Sequence, residues 1–199
     1  MLKLISIKNI CVLLLIFFYS SIANSIEPKD FISNITSSAS SILKENIGKD
    51  EKMKKLRELA ENSVDIKGVG FYTLGKHRKT IDKSQLVEYE KLFSEYFLKT
   101  FSSRLSEYSD PKINVLSQKI INPKYTMVSS VLVASAKRPE VKIDWRVYTK
   151  NPDKPLIRDL IVEGLSLART QKEEFASVIQ SNNGDVKKLF ETLKNFINK

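Results

Sequence analysis

Apolar residues recur along this chain with two different periods, and the change between them divides it. Over residues 28–47, Phe31, Ile32, Ile35, Ala39, Ile42, Leu43 and Ile47 fall at helical spacing. Pro28 suits the first turn of that helix, and Gly48 can stop it. Asp50 can cap a second helix, whose Met53, Leu56, Leu59, Ala60 and Val64 share one face. Gly68 and Gly70 are expected to close it, and a short segment, "FYTLGKHRK", leads onward. The longest helical pattern covers residues 84–108. Leu86, Tyr89, Phe93, Phe97, Phe101, Leu105 and Tyr108 follow steps of three and four, with Tyr96 at the edge of the stripe. Asp110-Pro111 ends it, because the residue before proline avoids helical geometry.

From Ile113 the period becomes two. Four β-rich runs, 113–121, 124–136, 140–149 and 156–168, are separated by Asn122-Pro123, Lys137-Arg138-Pro139 and the Asn151–Pro155 loop. Turns this short join antiparallel neighbours. The second and fourth runs are long enough to coil, which gives a sheet a concave face. Two helices follow. Thr170 and Glu173 have capping-box spacing ahead of Phe175, Val178 and Ile179. Asn183-Gly184 breaks that helix, and Asp185 can cap the last, where Val186, Leu189, Phe190, Leu193, Phe196 and Ile197 repeat. The predicted fold is α+β: a curved antiparallel meander of four strands or slightly more, packed with N-terminal and C-terminal helices around a cavity.

Inside the most apolar strand, "IRDLIVEGLSL" places a charge and a glycine. A glycine within a strand weakens it unless a bend, bulge or close neighbour requires one. Gly164 is therefore expected to let the final strand curl. Asp144 and Arg146 should point away from Ile143, Trp145 and Val147. Asp144 and Glu163, on adjacent strands, are paired carboxylates that invite an acid–base reading. Structural ion pairing with Lys142, Arg146 or Arg158 is the simpler account of them.

The first residues change the picture of the compartment. Lys3 and Lys8 precede an unbroken apolar run from Ile10 to Tyr19, and small residues at cleavage spacing follow within 20–25. This is the layout of a secretory signal peptide, so residues 1–25 are expected to be removed and 26–199 to form one exported domain. The only cysteine, Cys11, lies in the leader, which leaves no thiol, disulfide or common zinc site in the remainder. Loss of Lys3 and Lys8 with the leader lowers the formal charge from +10 to +8. That surplus favours anionic lipid or acidic protein partners, and export argues against nucleic acid.

Catalytic machinery is scarce. The single histidine, His77, sits in the basic stretch "GKHRK" as a solvated side chain. No phosphate-binding glycine loop and no Ser/His/Asp set can be assembled, so no cofactor is expected. The strands instead offer apolar residues at both parities, as in Val131-Leu132-Val133 and Leu160-Ile161-Val162, which suits strands covered on both faces. One face can be core while the other lines an apolar ligand site. The predicted lining is Phe93, Phe97, Phe101, Val131, Val133, Ile143, Trp145, Val147 and Leu160.

"VKIDWRVY", "LIRDLIVEGLSLARTQKEEFASVI" and the closing "GDVKKLFETLK" resemble the MlaC family, also called toluene-tolerance proteins. So does the upstream "LGKHRKTIDKSQLVEYEKLFSEYFLKTFSSRLSEY", with Leu-Gly ahead of a long aromatic helix. The ordered set covers nearly the whole chain after the leader. Asp144, Glu163, Gly164 and Ser166 match positions in the family's strand pattern. The resemblance implies a monomeric, non-catalytic, periplasmic phospholipid-binding protein that helps maintain outer-membrane lipid asymmetry. Its implied partners are phospholipid, an outer-membrane lipoprotein–porin complex (MlaA-like) and an inner-membrane ABC transporter with an MCE-domain ring (MlaD-like). Two other readings remain: a carrier of a sterol-like lipid or quinone, and an enzyme built on Asp144 or Glu163.

Overall fold

A computed structural model describes residues 25–136 and 138–199. The predicted signal peptide falls almost entirely outside them. In chain order the elements are α1 (Pro28–Lys44), α2 (Lys49–Ser63), α3 (Ile66–Leu74), a 3-10 turn (Gly75–Lys79) and α4 (Lys83–Leu105). The strands β1 (Ile113–Asn122), β2 (Tyr125–Leu132), β3 (Val141–Tyr148), β4 (Leu156–Val162) and β5 (Leu165–Ser166) follow. Helices α5 (Leu167–Ser181) and α6 (Val186–Ile197) close the chain. The strands lie in the order β1-β2-β3-β4-β5, every neighbour antiparallel, so the predicted α+β meander is present.

The β2–β3 pairing is regular. Thr126, Val128, Ser130 and Leu132 face inward opposite Val147, Trp145, Ile143 and Val141. Irregularities in β1 near Leu116 and in β4 near Arg158 each add a residue and strengthen the local twist, which curves the sheet.

Several local expectations are corrected. α3 lies where the two glycines suggested a break. Asp65 caps it by accepting the Gly68 N–H at 2.9 Å. Gly70 is helical because nothing larger fits: a Cβ there would lie 2.7 Å from Cδ1 of Phe93. α2 begins after Gly48, with no side-chain cap from Asp50. α5 begins at Leu167, capped by Ser166, whose Oγ accepts the Arg169 N–H at 3.1 Å. Thr170 lies inside that helix and donates to the Ser166 carbonyl. Asp185 caps α6 as predicted.

The run 156–168 is not one long strand. It is β4, a two-residue turn at Glu163-Gly164, the short β5 and the start of α5. Both turn residues have positive φ, +48° at Glu163 and +82° at Gly164. That is the connection whose twist matches a tight hairpin. Gly164 therefore reverses the chain rather than curling it.

The helices cover the sheet unevenly. α1 runs over β1 and β2, whereas α3 and α5 pack on β4. α4 packs on α2, α3 and α6 as a further layer, and among the described residues no helix packs extensively along β3. The α3 end is tied to β4 by Arg158. Its guanidinium pairs with Asp65 at 2.5 Å, donates to the Tyr125 hydroxyl at 2.8 Å and lies 3.7 Å from the Tyr148 ring centre. Burial opposes its charge, but the bonds to Tyr125 and Asp65 outweigh that and raise its pKa.

Candidate functional site

The interior begins with the face of β2 and β3. Val128 and Val147 are wholly buried, with Ile143 and Trp145 nearly so. Trp145 brings a polar edge into this layer, and its indole N–H is met by Ser130 Oγ at 2.8 Å. Among the described residues no helix packs extensively along β3, and aromatic side chains share one apolar cluster with its inner face. The α4 stripe supplies them. Phe97 stacks on Phe101 with centroids 5.8 Å apart, Phe93 stacks on Phe97 at 6.2 Å, and Phe175 of α5 meets Phe93 edge-on at 6.3 Å. All belong to one continuous apolar cluster with the sheet.

Of the nine residues predicted to line a pocket, Phe93, Phe97, Phe101, Ile143, Trp145, Val147 and Leu160 are gathered in this cluster. Two are not. Val131 pairs across to Lys142 on the opposite face of the sheet, and Val133 lies beyond the end of β2, where its N–H donates to the Lys112 carbonyl. The alternation of β2 puts Leu132, not its neighbours, inside. Residues missed by the prediction include Phe31 and Ile35 of α1, Ile113 and Val115 of β1, and Val141 of β3, all partly buried against the cluster. The alternating pattern of β1 and the α1 stripe carried that signal.

The hollow expected from the sequence would be bounded by these side chains. Two surface depressions lie away from this cluster and are lined mainly by polar and charged residues: one along α2 at Asp50, Arg57 and Glu61, the other at the α5–α6 turn around Asn183 and Lys188.

The carboxylates are bound in structural roles. Asp144 accepts the Ser129 hydroxyl at 2.6 Å, with Lys142 Nζ 3.7 Å away. Glu163 accepts the Lys142 backbone N–H, which closes the hairpin against β3. Asp159 is the carboxylate the sequence reading missed. Its side chain is 2 % exposed, faces Arg146 at 3.4 Å, and accepts the Ser166 hydroxyl at 2.7 Å and the Ala168 N–H at 3.0 Å. It anchors the start of α5 to β4. His77 lies in the 3-10 turn, where partial burial and the neighbouring Lys76 push its pKa down. Among the described residues, no group of side chains could hold a metal ion, and no helix is long and apolar enough to cross a membrane.

No curated protein matches the sequence. The fold is similar to that of the phospholipid-binding protein from Ralstonia solanacearum solved in complex with a phospholipid, with a TM-score of 0.72 at 18% identity over 87% of this chain and 98% of that one. At that identity the likeness is one of fold. The model of the family described as MlaC protein matches residues 33–195, from the first helix through the last, which is every element that builds the interior. The chain therefore belongs to the MlaC family.

Proposed function

We propose that this protein is a periplasmic phospholipid carrier that works without a chemical step. Its cargo passes between an outer-membrane lipoprotein–porin complex of the MlaA kind and an inner-membrane MCE-domain ABC transporter of the MlaD kind. The arrangement over β3 carries the reading: among the described residues, a mid-sheet strand with no helix packed extensively along it shares one apolar cluster with the α4 rings. Family membership and the phospholipid held by the R. solanacearum protein of the same fold support it.

Acyl chains entering above β3 would shift the rings of Phe97 and Phe101 within the apolar cluster they share with the sheet. Each buried methylene contributes about 0.8 kcal/mol. Part of that is offset by the protein–protein contacts given up, so lipid is held yet can be released. Dispersion contacts barely distinguish chain length, so acyl selectivity should be loose. The acids that could support an enzyme, Asp144 and Glu163, already have structural partners. The test is transfer of a fluorescent phospholipid from donor to acceptor vesicles. Transfer that rises with protein, leaves the lipid chemically intact and persists in Asp144→Asn and Glu163→Gln is expected. Turnover of the lipid that disappears with either carboxylate would replace the carrier with an enzyme.

A further inference from the structure

One end of the sheet combines exposed apolar side chains with unpaired cations, and we infer that this end docks on an anionic bilayer surface. The end of β1, next to the β1–β2 turn, presents Ile120 and Ile121, 74% and 50% exposed. The β3–β4 loop lies beside it, since the Thr149 N–H donates to the Lys124 carbonyl at 2.9 Å. The segment before α1 joins the same end: the Ile26 N–H donates to the Pro152 carbonyl at 3.1 Å, and Ile26 is also exposed.

Around these isoleucines stand Lys119, Lys124, Lys150 and Lys154, all exposed and none in an ion pair among the described residues. The acids near this end include Glu27, Asp30 and Asp153, and the Glu27 carboxylate is already engaged by the Gln118 amide at 2.7 Å. Apolar tips that enter the headgroup layer, ringed by ammonium groups that meet lipid phosphates, supply the two signals that reversible membrane attachment needs. An acidic protein would use the lysines but leaves the isoleucines unexplained. This inference does not depend on what the interior carries, because attachment is read without any transfer of lipid.

The test is sedimentation of the protein, in the form the cell exports, with phosphatidylcholine vesicles prepared with and without phosphatidylglycerol. Binding to the anionic vesicles alone, weakened by added salt, is expected. A lysine near an anionic surface contributes roughly fivefold in partitioning. Lys119→Glu with Lys124→Glu should therefore lower binding at least tenfold, and Ile120→Ser with Ile121→Ser should lower it as well. Lys187→Glu, on α6 away from this end, should change it little. Circular dichroism melts establish that each variant is folded, and the salt dependence of the unaltered protein reads the same claim without any variant. The inference is overturned if the protein ignores anionic vesicles, if salt has no effect, if the tip variants bind as the parent does, or if the tip instead pairs two copies of the chain in solution.

Discussion

Trp145 donates its indole N–H to Ser130 Oγ at 2.8 Å, while Ser130 donates onward to the Ile143 carbonyl at 3.0 Å. Ser130 is wholly buried, so the largest side chain of β3 is held by a polar relay that water does not reach. Ser130→Ala would leave the indole donor without its partner, costing about 1–3 kcal/mol. Urea denaturation should show that loss. Trp145→Phe in the same background should recover part of it, because the orphaned donor is then gone.

The two faces of β2 and its neighbours make opposite predictions for cargo. Val115 points inward beside Ser130, whereas Val131 points away from the cluster. Val115→Trp should lower lipid occupancy by tenfold or more, and Val131→Trp should leave it near the parent value. Overpacking at Val115 also costs about 1–3 kcal/mol, so a thermal melt must accompany the lipid measurement. Equal occupancy in both variants would place the cargo elsewhere.

Much of this arrangement was legible in the chain, and the exceptions share a cause. The period-two runs gave the meander and the inward set Ile143, Trp145 and Val147, because alternation is enforced by the pleat itself. Local pattern could not reveal what approaches from far along the sequence. Gly70 reads as a helix breaker until Phe93, from another helix, is seen against it. Glu163 does not look like a turn residue, but its carboxylate reaches a backbone N–H on β3 and fixes a left-handed conformation. The α4 stripe was plain, but its neighbours are mainly other helices, a placement that its own spacing does not reveal.

Gly164 offers a test of the hairpin. At φ +82° an L-residue is strained although its Cβ would meet nothing within 4 Å. Gly164→Ala should therefore cost about 1–2 kcal/mol through backbone alone. A melting temperature equal to the parent's would show that the turn is not held as described.

Asp159 should matter more to stability than either carboxylate first considered. It caps α5 and is nearly enclosed. Asp159→Ala should cost about 1–3 kcal/mol, since the Ser166 hydroxyl and the Ala168 N–H lose their acceptor, while the half-exposed Arg146 can turn to water. Asp144→Asn should cost far less. Chemical denaturation of the two variants side by side decides the ranking.

Tyr89 predicts the alkaline limit. It is wholly buried, its hydroxyl is shared with Thr73 at 2.9 Å and donates to the Gly70 carbonyl at 3.1 Å. Burial raises its pKa well above the ordinary phenol value. The folded state holds the proton more tightly than the unfolded chain, so this contribution is complete below about pH 10 and is lost as pH rises beyond it. Stability measured from pH 8 upward should fall once the unfolded phenol ionises. Tyr89→Phe should flatten that fall while lowering stability at neutral pH.

The most direct measurement is the native mass of the protein purified gently from the cells that make it, followed by extraction and identification of whatever it carries. The account predicts one intact glycerophospholipid per chain, with mixed acyl composition and with the mass lost in Val115→Trp. A folded protein that carries no lipid and takes none up from phospholipid vesicles would contradict it.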